Sequence, residues 1–115
     1  ALKSQNAGIT IVAVEPDRSP VLSGGMASPH RIAGIGANFV PSLVNREIID
    51  EIQRVSDEEA YKTAGALASQ EGLFVGPSSG ANIAASLRVA ARLGVGHNVV
   101  TVLSDGGDRY LRSPL

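Results

Sequence analysis

Two runs of β-branched and aliphatic residues, far apart in the chain, predict buried strands. The first covers Ile9 to Glu15 and is closed by Pro16, and the second covers Asn98 to Leu103. Continuous apolar runs of this length are typical of strands covered on both faces of a parallel sheet. Weaker strand patterns occur at two further places, Ile52 to Val55 and Leu73 to Val75.

Helical periodicity separates these strands. Ser56 is the predicted N-cap of one helix, because Glu59 three residues later completes a capping box, and Gly72 is its predicted end. A longer alanine-rich helix is predicted to start near Ser79. Shorter helical segments are predicted at Ala1 to Asn6, as the end of a helix, and at Arg46 to Glu51. Strands that alternate with helices predict an α/β fold, an open and mainly parallel sheet with helices on both faces.

The segment from Pro16 to Asn45 shows no periodicity and is rich in glycine, proline and serine. Connections this long inside a compact domain are usually functional. Gly34-Ile35-Gly36 within it superficially matches a dinucleotide fingerprint. The third glycine of that motif is missing and no strand precedes the segment, so we reject the match.

Composition excludes several classes of function. The 115 residues suffice for one domain, and a net charge of −1 without a basic run gives no footprint of a nucleic-acid binder. The absence of cysteine excludes disulfides, thiolate catalysis and cysteine-ligated zinc, and it fits a cytoplasmic protein. No run is long enough to span a membrane. His30 and His97 lack metal-ligand spacing, so we predict no metal site and interpret both as surface or loop residues.

The turn before the alanine-rich helix is the first candidate site. Pro77 marks the helix boundary, and the N–H groups of the first helical turn, with the helix dipole, favour a polar or anionic ligand at Ser78-Ser79-Gly80. Either Ser78 or Ser79 is the expected N-cap, which leaves the other hydroxyl for a ligand. The alternative is that both serines only cap the helix.

A second turn, Ser104 to Asp108, follows the second apolar run. Ligands collect at the carboxyl edge of open α/β sheets, so Asp105 is predicted to share a site with Ser78. The alternative is that Asp105 and Asp108 only form the turn.

Four segments in this order resemble the cysteine synthase family of pyridoxal-phosphate enzymes. They are IVAVEP-x₄-VLSGG (Ile11 to Gly25), SPHRIAGIGANFVP (Ser28 to Pro41), QEGLFVGPSSGA (Gln70 to Ala81) and LSDGGDRYL (Leu103 to Leu111). The resemblance implies a homodimeric enzyme with the tryptophan synthase β-like fold. Residues 1–115 would form the C-terminal part of its larger, cofactor-binding domain, and the preceding half would be absent from this chain.

The resemblance also implies site residues and chemistry. Ser78 would hydrogen-bond the ring nitrogen of pyridoxal 5'-phosphate, Gly34, Ile35 and Gly36 would line the cleft, and Asp105 is assigned to the same site. A neutral serine hydroxyl makes the ring a milder electron sink than a carboxylate would, which suits β-replacement. The implied reaction is cysteine synthesis from an O-activated serine, O-acetylserine or O-phosphoserine, with sulfide.

Two elements of the family have no match in this sequence, the lysine that forms the Schiff base and the glycine-rich loop that binds the cofactor phosphate. The chain's two lysines, Lys3 and Lys62, are predicted to lie in a polar tail and on an outer helix face. A Schiff-base lysine needs a desolvated cleft, so we expect this chain alone to be inert.

Four residues depart from the family pattern: Ala33, Asn38, Pro77 and Ser104. Ala33 and Asn38 lie in the cleft loop, so these two departures leave the exact substrate open. A cystathionine β-synthase-like enzyme, which uses homocysteine as acceptor, is one alternative. Threonine dehydratase-like and tryptophan synthase β-like enzymes fit less well. Two other classes are a non-catalytic α/β module that binds a phosphate or nucleotide, and a piece with a purely structural or interaction role.

Overall fold

The computed structural model describes residues 1–112. Its regular elements, in chain order, are α1 (Leu2–Gln5), β1 (Val12–Pro16), a 3₁₀ turn (Arg46–Ile48), β2 (Glu51–Val55), α2 (Asp57–Glu71), α3 (Pro77–Leu93) and a second 3₁₀ turn (Gly107–Tyr110). Within this described part, no helix is both long and apolar enough to cross a membrane.

β1 and β2 pair in parallel and form a two-stranded sheet. Val12 lies opposite Glu51 and Pro16 opposite Val55. The predicted α/β fold with a parallel sheet is confirmed. β1 starts at Val12, three residues later than predicted, and β2 starts one residue earlier than predicted.

α2 has the predicted ends. The Ser56 hydroxyl accepts a hydrogen bond from the Glu59 N–H at 3.1 Å, and Gly72 closes the helix with φ of 69°. α3 contacts both strands and crosses α2 closely, because a Cβ at Gly80 would lie 2.1 Å from the Ala60 carbonyl oxygen. The small core consists mainly of alanines from the two helices with Ile32 and Val55: Ile32, Val55, Ala60, Ala81, Ala84 and Ala85.

The predicted start of α3 is wrong. Its N-cap is Gly76 and Pro77 occupies the first helical turn, so neither Ser78 nor Ser79 is the cap. Proline suits that position because its missing N–H has no helical partner to lose and its φ is already helical. Both serines therefore lie inside the first turn of α3, where both are buried.

The prediction of a buried strand at Asn98 to Leu103 is also wrong. These residues form no strand, and Val100 and Val102 are 90% and 67% exposed. A strand needs a hydrogen-bonded neighbour, and a cavity of about 720 Å³ separates this segment from β1. Asn82 ties the segment to α3 by donating to the Val102 carbonyl at 3.0 Å.

Two other predicted elements are shorter in the structure than the sequence patterns indicated. Leu73 to Val75 contributes only one antiparallel bridge, between Val75 and Gly106, while Leu73 and Phe74 are 44% and 49% exposed. The helix predicted at Arg46 to Glu51 is a single 3₁₀ turn, Arg46–Ile48. The N-terminal helical segment is confirmed as α1, Leu2–Gln5.

Candidate functional site

The two serines at the start of α3 have different surroundings. Ser79 is fully buried, and its hydroxyl accepts a hydrogen bond from the Ser104 N–H at 3.1 Å. Ser78 is 5% exposed, and its hydroxyl makes no hydrogen bond with any residue in 1–112. Within residues 1–112 the buried side-chain oxygens without a partner belong to Asp57 and Asp105, so the Ser78 Oγ is open to solvent or a ligand. Ser79 thus has a structural role in the fold, whereas Ser78 has unused hydrogen-bonding capacity.

Ser78 faces the glycine loop. A Cβ placed on Gly34 would lie 3.6 Å from the Ser78 Oγ, so the structure brings these two predicted site residues together. Gly34 and Gly36 both have positive φ, 98° and 63°, which favours glycine at each position. Ile35 between them is half-buried and packs its side chain against the core. All three residues also line a cavity of about 500 Å³, which Ser78 does not reach.

The loop that carries these glycines is fixed to α2 through Arg31. Its N–H donates to the Asp57 Oδ1 at 3.0 Å, and its carbonyl accepts from the Tyr61 hydroxyl at 2.9 Å. Its guanidinium lies 5.0 Å from the centre of the Tyr61 ring, a cation–π contact. The next residue, Ile32, is fully buried in the core. The start of the loop is therefore anchored beside α2.

Glu15 and Ser19, which the sequence patterns did not single out, hold the long segment that follows β1. Glu15, buried at the end of β1, accepts hydrogen bonds from the N–H groups of Leu22 and Ser23 at 2.8 and 3.0 Å and from the Ser23 hydroxyl. Ser19 donates to the Asn38 Oδ1 at 2.6 Å. The sequence signal that could have revealed this role is a carboxylate at the end of an apolar run, because a buried carboxylate needs hydrogen-bond partners.

Asp105 lies beside the start of α3. Its backbone carbonyl accepts from the Gly76 N–H at 3.2 Å, and a Cβ at Gly76 would lie 2.3 Å from its Oδ1. The Tyr110 hydroxyl donates to its Oδ2 at 2.5 Å, and this hydrogen bond, with burial, raises the pKa of Tyr110. The Asp105 Oδ1 is buried without a partner in the described chain. The structure therefore places Asp105 next to the turn that precedes Ser78, and no hydrogen bond joins Asp105 to Ser78.

Neither lysine is presented to this site as an unpaired amine. The Lys3 Nζ pairs with Asp50 at 2.7 Å. The Ile11 N–H and this ammonium group hold the pKa of Asp50 below its usual value. Lys62 is exposed on α2.

Comparison with known proteins assigns the family. The family described as "Pyridoxal-phosphate dependent enzyme" matches residues 1–105, most of the chain. This chain belongs to the pyridoxal-phosphate dependent enzyme family. Among its relatives is a cysteine synthase of Staphylococcus aureus, 47% identical over 114 residues, which are 99% of this chain and 37% of that protein.

Two solved structures are similar along almost the whole chain. A cysteine synthase from Entamoeba histolytica superimposes with a TM-score of 0.94 and 41% identity, covering 97% of this chain and 33% of that one. An O-acetylserine dependent cystathionine β-synthase from Helicobacter pylori gives 0.91 and 42%, covering 98% and 37%. The chain thus spans about a third of the length of these relatives.

Proposed function

We propose that this chain is the C-terminal part of the cofactor-binding domain of a cysteine synthase. The proposed reaction is β-replacement on O-acetylserine or O-phosphoserine by sulfide. Support comes from the name and the 47% identity of the Staphylococcus aureus relative and from the close match in structure to the Entamoeba histolytica enzyme. The proposal includes a cytoplasmic homodimer.

The observation that carries the proposal is the Ser78 hydroxyl, which has no hydrogen-bond partner within residues 1–112 although the residue as a whole is only 5% exposed. A neutral hydroxyl can donate to an unprotonated pyridine nitrogen, so the residue fits the ring of pyridoxal phosphate. Gly34 leaves space next to this hydroxyl, since even a Cβ there would be 3.6 Å away. Bound in this way, the cofactor would supply the electron sink for β-replacement.

The other proposed site residues of this chain would line the cleft or fix the position of Ser78. The backbone of Gly34, Ile35 and Gly36 would line the cleft, where glycine permits close approach of a ligand. Asp105 and Tyr110 would hold the Gly76 turn and thereby fix the direction of Ser78. Neither Lys3, paired with Asp50, nor Lys62, on the surface of α2, fits the lysine that the reaction needs. That lysine and the phosphate-binding loop would belong to a preceding part of the enzyme.

Paired serine variants of the enzyme that contains this chain test the role of Ser78. In Ser78→Ala, we expect the absorbance of the bound cofactor to change and kcat for cysteine formation to fall by about tenfold or more, the equivalent of one lost hydrogen bond. The free energy of unfolding of the cofactor-free protein should change by less than about 0.5 kcal/mol, because no protein hydrogen bond is lost.

Ser79→Ala is the matched control. It removes the acceptor for the Ser104 N–H, so we expect a loss of about 1 kcal/mol in stability with the cofactor spectrum unchanged. If the two variants behaved alike, or if Ser78→Ala kept the normal spectrum and kcat, the assignment of Ser78 to the cofactor would be wrong. Parallel assays with sulfide and homocysteine separate a cysteine synthase from a cystathionine β-synthase.

A further inference from the structure

The shape of the glycine loop depends on a histidine that its sequence context does not mark. The His30 Nε2 lies 2.8 Å from the Gly36 carbonyl oxygen. The ring also packs against Gly36 itself, because a Cβ there would lie 2.5 Å from the Nε2 and 2.5 Å from the Pro16 Cγ. Gly36 is therefore enclosed between an imidazole and a buried proline, with φ of 63°.

The second ring nitrogen fixes the position of the proton. The Ile32 N–H donates to the His30 Nδ1 at 3.2 Å, so this nitrogen must carry the lone pair. The Nε2 then carries the hydrogen and donates it to the Gly36 carbonyl. A neutral imidazole with both nitrogens engaged thus links fully buried Ile32 to Gly36.

We propose that His30 is a positioning residue for the cleft, and that its Nε2–H holds the Gly34 to Gly36 backbone in the conformation that faces Ser78. This inference rests on the proposed function for its consequence in catalysis, whereas the restraint on the loop concerns this chain's own residues. Three contacts connect His30 to the site. Gly34 approaches the Ser78 hydroxyl, Gly36 is held by His30, and His30 is fixed by the buried Ile32.

Two substitutions separate the two ring contacts in the enzyme that contains this chain. His30→Asn keeps an acceptor that suits an N–H two residues later but is too short to reach Gly36. His30→Gln keeps a donor at the distance of the Nε2 and loses the Nδ1 acceptor. His97→Asn, at the other histidine, which takes no part in the glycine loop or its hydrogen bonds, is the matched control.

We expect His30→Asn to raise KM for O-acetylserine by about fivefold or more while kcat changes by less than about twofold, because a displaced binding loop weakens substrate binding without altering the reacting groups. Hydrogen exchange of residues 33–38 should accelerate in the same variant. His30→Gln should recover most of the KM and the slow exchange. His97→Asn should match the unmodified protein in both measurements.

Unchanged KM and exchange in His30→Asn would overturn the inference. The inference would also be overturned if His30→Asn and His30→Gln changed KM and exchange equally and in proportion to their losses of stability. That result would mean that the imidazole only supports the fold. If the unmodified protein made no cysteine but the exchange difference held, the positioning role would stand and the proposed function would fail.

Discussion

At the scale of single residues, neighbouring serines of identical chemistry have different roles. The Ser79 hydroxyl is used by the fold, because it accepts a hydrogen bond from the Ser104 N–H, whereas the Ser78 hydroxyl has no partner within residues 1–112. The helix-start pattern located the serine pair and the family resemblance pointed to the glycine loop, but neither could divide the roles of the two serines, because their hydrogen-bond partners come from segments distant in the chain. Asn38, where the family commonly has glycine, is explained by its φ of 63°, a conformation that asparagine tolerates better than most residues.

The Glu51–Arg92 pair gives a prediction on pH dependence. Hydrogen bonds from Arg92 and then Gln53 lower the pKa of Glu51 to about 2, from 4.5. A lowered folded-state pKa stabilises the protein above pH 4.5, and this contribution is lost as the pH falls from about 4.5 to about 2. Arg92 is 53% exposed on its side chain, so we expect only about 0.5 kcal/mol between the unmodified protein and Glu51→Gln at pH 7.

Urea unfolding of the two proteins at pH 7 and at pH 2 checks this prediction. The difference between them should vanish at the lower pH and shrink in 1 M salt, which screens exposed pairs. A difference that is constant across both pH values would show that Glu51 acts through packing and not through its charge.

At the scale of elements, sequence patterns predicted the ends of a helix correctly where the residues at those ends determine them. The Ser56 capping box and Gly72 gave both ends of α2. The start of α3 was misplaced because the preference of proline for the first helical turn outweighs serine capping. Asn98 to Leu103 has the composition of a strand, but composition supplies no hydrogen-bonded neighbour, and the segment lies across a cavity from β1.

The α2–α3 crossing depends on Gly80. In Gly80→Ala the new methyl group would meet the Ala60 carbonyl oxygen at 2.1 Å and the Ala64 Cβ at 3.0 Å, so the helices must separate. We expect a loss of about 1–3 kcal/mol in the free energy of unfolding, measured by urea titration.

Gly65→Ala provides the contrast within the same helix pair. Apart from its chain neighbours and the backbone of its own helix, no atom of residues 1–112 lies within 4 Å of a Cβ at this position in α2, so the change should stabilise the protein by about 0.5–1 kcal/mol through helix propensity. A Gly80→Ala protein as stable as the Gly65→Ala protein would contradict the close crossing.

At the scale of the whole molecule, the chain corresponds to only part of longer relatives. It spans about a third of its relatives, 37% of the Staphylococcus aureus cysteine synthase. An apolar cavity of about 720 Å³ lies between the second edge of β1, α3 and residues 98–102. We propose that strands from the preceding part of the enzyme fill this cavity and pair with both segments. The alternation of strand and helix patterns predicted the α/β class and the family resemblance predicted the tryptophan synthase β-like fold, whereas the open edge of β1 is visible only in three dimensions.

The most direct test of the central claim is the absorbance spectrum of the protein isolated from its source, with its intact mass, before and after borohydride reduction. We predict a visible band from bound pyridoxal phosphate, a mass well above that of the 115 residues, and cofactor fixed by borohydride to a lysine outside them. A protein with the mass of this chain alone and no band would contradict the account, and Ser78 would then be only a buried serine in the first turn of α3.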